Sequence, residues 1–423
     1  MHGERRAVAV FAKNESQPAK MHLLGGGRNP SITHSSMAFD FDSCPDRAVS
    51  DSTKWNKYAG RDIIPAWIAD MDFRSPPEVV AALTARAQHG VYGYPAQRDR
   101  AYAAVTKHLR ARHGWEVGPE SVTFLTSLVP GIHGAIRLGC AHGQSVVSTF
   151  PVYPPFLNAP ALSERGLLKV PMAFEGDKWT FDWPALEKAC AQPEAKVLLL
   201  CSPYNPLARV FTRDELLRVA ELARRHDLLV CSDEIHCDLI LDPTARHTVF
   251  ATLSEDAARR TITLMAASKT FNVAGLACGF AIITDSNLRT RFRRLLQGLS
   301  LDQNVFGLAA TEAAFEHGEP WRLACVDYLR GNLDLIEQEL RDMPGLVLRQ
   351  RPQSSFLAWF DATALGYEDP YAAFEQGGVG LGNGADFSGP GHVRLNFGCP
   401  RDRLREILRR MKAVVAKAPG KKA

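Results

Sequence analysis

Between about residue 75 and residue 300 this chain alternates short apolar runs with amphipathic stretches, and that alternation limits its fold more than any other feature. Glu120 to Thr126, Gln144 to Thr149, Ala195 to Cys201, Leu228 to Ser232 and Thr261 to Ala266 read as strands. Two of them stop at a proline turn, Phe150-Pro151 and Ser202-Pro203. The stretches between read as helices. Pro76-Pro77 opens one that runs through Gln88, with proline in the first turn, where its missing N–H is not needed. Gly131 to Leu138 is another. Thr212 and Glu215 form a capping box for a helix ending near Asp227. Apolar strands separated by helices predict an α/β fold with a mostly parallel sheet covered on both faces.

The rest of the chain has a different texture. Residues 1–36 carry a Gly25-Gly26-Gly27 run and no sustained period, which predicts a disordered extension. Residues 37–75 read as an N-terminal arm and 76–305 as the large domain. Residues 306–423 read as a smaller α+β domain: a long helical stretch near 306–343, strands near 346–361 and 391–397, and a final helix from 401 to about 416. The 50 basic and 46 acidic residues are mixed along the chain, which argues for a solvated surface and against a nucleic-acid partner. No apolar run approaches the roughly 20 residues that span a bilayer, and the apolar run Ala7 to Ala12 is too short for a secretory segment. The nine cysteines include no CxxC and mostly sit in apolar runs, which predicts reduced thiols and a cytoplasmic protein.

In open α/β sheets ligands bind beyond the carboxyl ends of the strands, and the unusual residues fall there. Ala267-Ser268-Lys269-Thr270-Phe271-Asn272 follows the strand ending at 266. A lysine held there out of water favours its neutral amine, which suits Schiff-base formation; taken alone, an exposed loop lysine is the simpler account. Ser232-Asp233-Glu234-Ile235-His236 ends another strand, with Asp233 lying 36 residues before Lys269. Its carboxylate suits pairing with a protonated ring nitrogen, although a helix cap or a metal site is also open. His236 with Asp238 makes a poor metal constellation without further ligands, so no metal is expected. Asn205 sits in the turn Ser202-Pro203-Tyr204-Asn205-Pro206, and Tyr153 offers a ring in Phe150-Pro151-Val152-Tyr153. Arg394, in Val393-Arg394-Leu395-Asn396, can clamp a carboxylate bidentately. Singly, each reads as a turn, a core aromatic or a surface ion pair.

In this order and spacing the motifs resemble the fold-type I pyridoxal-phosphate (PLP) enzymes, the aminotransferase class I/II superfamily, over roughly residues 38–416. The resemblance implies a large PLP-binding domain and a smaller one that the arm 37–75 joins. Lys269 resembles the lysine that holds PLP as a Schiff base, Asp233 the partner of the pyridine nitrogen, and Asn205 the ligand of the ring oxygen. Tyr153 resembles the stacking ring, and His236 stands where many members have a tyrosine near that oxygen. Arg394 resembles the clamp for a substrate α-carboxylate. Trp67-Ile68-Ala69-Asp70-Met71-Asp72-Phe73, Ser232 to Leu239 and Ser268 to Leu276 are similar to the carbon–sulfur lyase branch, the cystathionine β-lyases of MalY/PatB type. Asp70 and Met71 are therefore expected at the substrate. His89-Gly90-Val91-Tyr92-Gly93-Tyr94 also fits, and there the resemblance implies a homodimer in which Tyr94 reaches the partner's cofactor phosphate. The branch usually begins near Met37.

The implied reaction is β-elimination: a substrate amine displaces Lys269, the freed Lys269 takes the Cα proton, and a thiolate leaves Cβ, ending in pyruvate and ammonia. The chain departs from the family at three places. Asn-Pro-Thr-Gly is here Asn205-Pro206-Leu207-Ala208. The glycine-containing turn before the phosphate-binding helix is Thr126-Ser127-Leu128-Val129-Pro130, leaving the N–H groups of Leu128 and Val129 as phosphate donors. The frequent arginine eight after the lysine is Ala277, and Ser268 can donate instead. An aminotransferase is the alternative within the fold, and a PLP-binding regulator with little turnover the alternative outside enzymes. A dinucleotide-binding enzyme would need a Gly-x-Gly-x-x-Gly after an early strand, and none is present.

Overall fold

The central strands are apolar on both faces because both faces are covered. Thr261–Met265 is buried at every residue, and Ala195–Cys201 at all but one. In the computed structural model, which describes residues 39–95, 99–297 and 303–421, they lie inside an eight-stranded sheet. Its spatial order is Val122–Leu125, Gly279–Ile282, Thr261–Met265, Leu229–Asp233, Ala195–Cys201, Ser145–Phe150, Gly166–Glu175, Lys178–Phe181. The five strands from Thr261–Met265 to Gly166–Glu175 run parallel, as the alternation requires. Gly279–Ile282 and Lys178–Phe181 run antiparallel to their neighbours. The register sets Cys201 beside Asp233, so neighbouring strands end at one level.

Helices cover the faces where the pattern placed them. Pro77–Gln88 keeps proline in its first turn, and Arg213–Arg225 carries the full capping box of Thr212 and Glu215. Leu128–Gly139 lies tight on the sheet. A Cβ on Gly131 would stand 2.8 Å from Leu264 and 2.9 Å from Leu125 side-chain carbons, which fixes how closely this helix approaches. Around the large sheet the core gathers Val146, Val197, Leu198, Val230, Ile262 and Leu264 with Ile132 and Ile136 from that helix.

A second core forms around a three-stranded antiparallel sheet in which His392–Asn396 lies between Leu357–Asp361 and Gly382–Asn383. It also takes in Phe41, Ala66, Met71 and Phe73 from the N-terminal part of the described chain. Ile64 and Pro65 add a short parallel pairing with Val379 and Gly380. The helical stretch expected near 306–343 is two helices, Val305–His317 and Glu319–Leu340, broken at Gly318 with Pro320 in the first turn of the second. The final helix is Arg401–Ala416. Residues 1–36, expected to be an extension, lie outside the described residues. Among the described residues no helix is long and apolar enough to cross a membrane.

Candidate active site

The sheet delivers side chains to a cavity of about 550 Å³ at the carboxyl ends of its strands. Asp233 is the last residue of its strand, Asn205 follows Ala195–Cys201, Tyr153 follows Ser145–Phe150, and Ser268 and Lys269 follow Thr261–Met265. Leu128 and Val129 enter from the start of Leu128–Gly139, and Arg394 from the smaller sheet. His236 completes the set. These nine side chains, spread over 267 positions of sequence, line one cavity of a size suited to a small molecule.

Asp70, Met71 and Tyr94 are not among its lining residues. The Asp70 carboxylate turns to Arg47 (2.9 Å) and lies 3.7 Å from Lys54. Met71 is buried in the second core. Of the motif that contains them, Trp67, Ile68 and Ala69 line the cavity, while Asp70, expected at the substrate with Met71, acts on the Lys269 charge from beside it. Tyr94 is 93% exposed.

The backbone of that motif is tied down one carbonyl after another. Arg394 Nη2 donates to Trp67 O (2.6 Å), Asn396 Nδ2 to Ile68 O and Asp70 O (both 2.6 Å), and Lys269 Nζ to Ala69 O (2.7 Å). Asn272 Nδ2 reaches Met71 O (3.0 Å) and Phe73 O (2.8 Å). An irregular segment this buried must satisfy its carbonyls with side chains, since no ladder does it. The consequence is that Trp67, Ile68 and Ala69 form one wall of the cavity. Asn272 and Asn396 are the functional residues that sequence reasoning missed. Each follows a singled-out residue, by three and by two positions, but nothing in the sequence links them to a segment more than 190 residues away.

The charged groups in the cavity are poorly compensated. Asp233 is buried and accepts one hydrogen bond, from Ile235 N (3.2 Å); burial pushes its carboxyl up to about 6. Burial also lowers the Lys269 ammonium, against the pull of Asp70 and with the help of Arg394. Both shifts favour neutral forms, and a neutral amine is the nucleophilic one. Burial takes the Arg394 guanidinium down to about 10. Its Nη1 donates to Asn205 Oδ1 (2.9 Å), while Nε is buried without a partner. His236 is held neutral, down to about 3, by burial and then by Lys269 and Arg394, and its Nδ1 has no partner. Buried polar atoms left unpaired around a cavity fit a polar ligand that completes them.

The departures from the family pattern have different structural costs. Ser127 has extended backbone (φ −162°), so the turn before Leu128–Gly139 needs no glycine, and no side chain caps that helix start. Its free N–H groups, with Thr126 and Ser268 beside them, fit an anionic group. Ala277 also lines the cavity. Ala208, in contrast, is buried at φ +52°, a conformation that suits glycine. Asp238 does not join His236. It lies outside the cavity lining with His108 (2.9 Å) and His113 (3.2 Å), which hold its carboxyl well below the usual range despite burial.

Comparison with known proteins agrees with this geometry. The family model for aminotransferase class I and II matches residues 67–411. The chain is 36% identical over 387 residues to cystathionine beta-lyase PatB of Bacillus subtilis (strain 168), covering 89% of this chain and 100% of that protein. Among solved structures it is similar to OvoB, with a TM-score of 0.87 and 45% identity over 89% of this chain and 99% of that one. It is also similar to cystalysin from Treponema denticola, which contains a pyridoxal 5'-phosphate cofactor, with a TM-score of 0.85 and 29% identity over 90% of this chain and 100% of that one.

Proposed function

The chain belongs to the aminotransferase class I and II family, and from that premise we propose that it is a PLP-dependent carbon–sulfur β-lyase acting on L-cystathionine or another cysteine S-conjugate. The observation that carries this reading is the convergence of Lys269, Asp233, Asn205 and Arg394 on one cavity, in a chain 36% identical to a cystathionine beta-lyase. When bound, PLP supplies an electron-withdrawing ring that stabilises negative charge at the substrate Cα. Lys269 would hold it covalently, Asp233 its ring nitrogen, Asn205 and His236 its ring oxygen, and Tyr153 one ring face. The N–H groups of Leu128 and Val129 and the hydroxyl of Ser268 would hold its phosphate.

The protein's own part is positioning and proton transfer. Arg394, whose Nε is unengaged, orients the α-carboxylate. Lys269 Nζ receives the Cα proton, and an amine whose pKa burial lowers suits that step. The Cβ–S bond then breaks with its electron pair on sulfur. In sum, R–S–CH2–CH(NH3+)–COO− and water give R–SH, pyruvate and ammonium.

We read residues 76–305 as the PLP-binding domain and 306–423 as the small domain that the arm joins, a division supported by the two separate cores. We also propose a homodimer in which Tyr94 reaches the other subunit's phosphate site, supported by its exposure away from its own cavity. Eight of the nine cysteines are buried, which supports a place in the reducing cytoplasm.

The test is to mix PLP-loaded protein with L-cystathionine and follow thiol and pyruvate together. Equimolar release is the expected result. Loss of the cofactor's visible band on adding an amino acid, with no thiol from any S-conjugate, would instead point to amino-group transfer.

A further inference from the structure

Five side chains that are formally charged at neutral pH line the cavity: Lys57, Asp233, Lys269, Asp386 and Arg394. Three of them have work in the reaction proposed above. Lys57 and Asp386 do not, and neither forms an ion pair among the described residues.

Lys57 is exposed, yet it is held. Its ammonium lies 4.6 Å from the ring centroid of Trp67, 5.2 Å from Tyr58 and 5.5 Å from Tyr371, and it donates to Tyr371 Oη (3.1 Å). Trp67 and Tyr371 are themselves cavity residues. Ordering a lysine side chain costs up to about 2 kcal/mol of rotamer entropy, and cation–π contacts and a hydrogen bond offset this. The nearby Glu375 carboxylate is engaged by the Tyr371 and Tyr58 hydroxyls (2.6 and 3.2 Å) rather than by Lys57 directly, so the fixed ammonium keeps a donor for an anion in the cavity. Asp386 belongs to another element, the turn Gly384–Phe387, and stands near enough to Arg394 to act on its charge. The ring of the next residue, Phe387, packs on Arg394, its centroid 4.6 Å from the guanidinium carbon. The cavity thus offers one further cation and one further carboxylate, on walls that also present Trp67, Tyr371 and Phe387.

We infer that Lys57 and Asp386 form a distal subsite that selects S-conjugates whose departing sulfur carries an amino-acid zwitterion, Lys57 taking the distal carboxylate and Asp386 the distal ammonium. The aromatic side chains cover the thioether carbons between the two heads. This inference rests on the lyase reading and names the substrate class within it. It excludes plain alkyl or aryl thiols as the preferred leaving groups, because they would leave both charges unanswered.

The experiment uses full-length, PLP-loaded enzyme with three substrates: L-cystathionine, S-(3-carboxypropyl)-L-cysteine, which lacks the distal amine, and S-(3-aminopropyl)-L-cysteine, which lacks the distal carboxylate. The readout is the ratio of kcat/KM for the carboxypropyl over the aminopropyl conjugate. Lys57→Met is expected to lower that ratio about 10-fold and Asp386→Asn to raise it about 10-fold, as loss of one charge-assisted contact implies. Both variants should lower kcat/KM for L-cystathionine. Ratios that stay at the wild-type value, or that move the same way in both variants, overturn the subsite. Failure of the lyase reading looks different: wild-type enzyme would then release thiol from none of the three.

Discussion

Two buried aspartates show how differently one chain treats the same carboxylate. Asp72, 1% exposed, is surrounded by three cations: Lys54 (3.1 Å), Arg47 (3.0 Å) and Arg403 (3.0 Å). Burial pushes its carboxyl up, but Lys54, Arg403 and Arg47 together hold it below the usual value. Asp233, equally buried, has a single backbone N–H and rises to about 6. Asp72 ties the N-terminal part of the described chain to the helix Arg401–Ala416, so its charges are matched within the protein. Asp233 faces a cavity together with two other underprovided groups, Arg394 Nε and His236 Nδ1. A charge left unmatched inside the fold is one whose partner is meant to arrive from outside.

This contrast predicts opposite outcomes for one substitution made twice. Asp233→Asn should lower turnover by about 100-fold or more, since it removes the group suited to keep the ring protonated, while the cofactor-free protein unfolds no more easily than wild type. Asp72→Asn should do the reverse. It leaves Arg403 without an ion pair among the described residues and Lys54 and Arg47 with Asp70 alone, and should cost about 3 kcal/mol of stability, with turnover per folded molecule nearly kept. Urea unfolding and steady-state kinetics on both variants check the pair; equal stability losses would erase the distinction.

The two should also part company with pH. The folded carboxyl of Asp233 binds its proton more tightly than the unfolded one, whose pKa is about 3.9. Its presence therefore weakens the cofactor-free fold progressively as pH rises from about 4 to 6, by about 2–3 kcal/mol in all. Asp72 has a depressed folded value, so it stabilises above about pH 4 and loses that contribution as pH falls through the folded pKa. In unfolding measured from pH 3 to 7, Asp233→Asn should gain on wild type as pH rises, and Asp72→Asn should lose.

The smallest expected effect concerns backbone strain in the same region. Ala208, three residues past Asn205, is held at φ +52°, and its carbonyl accepts from Gln353 N and Ser354 N. Ala208→Gly should raise stability by about 0.5–1 kcal/mol, readable as a small increase in Tm. A decrease would show that the methyl's packing outweighs the strain.

Much of this was legible in the sequence because local chemistry dictates it. The central parallel strands are largely apolar runs, and Ala195–Cys201 has the bounds its composition predicts. The capping box at Thr212 is written in four residues. Other elements had no such signal. Gly279–Ile282 is four residues of Gly-Phe-Ala-Ile, too short to show a period, and takes its place only because both its neighbours pair with it. Gly166–Glu175 and the edge strand Lys178–Phe181, at the less buried end of the sheet, lack the continuous apolar run of the central strands. Within the site, the residues at strand ends were readable because topology gathers strand ends. Asp70 and Met71 are not lining residues while their neighbours Trp67, Ile68 and Ala69 are, because a motif does not say which of its residues face the cavity. Asn272 and Asn396 act on carbonyls distant in sequence, a relation that appears only in three dimensions.

The fastening of Trp67 to Phe73 has a consequence for biosynthesis. A ribosome emits this segment early, but the groups that grip it come 200 residues later at Lys269 and more than 320 later at Arg394 and Asn396. Its carbonyls must stay hydrated until then, so the wall of the cavity is among the first parts made and the last to set. The nascent chain can build its large sheet vectorially, yet it holds no finished pocket until nearly the whole polypeptide has emerged.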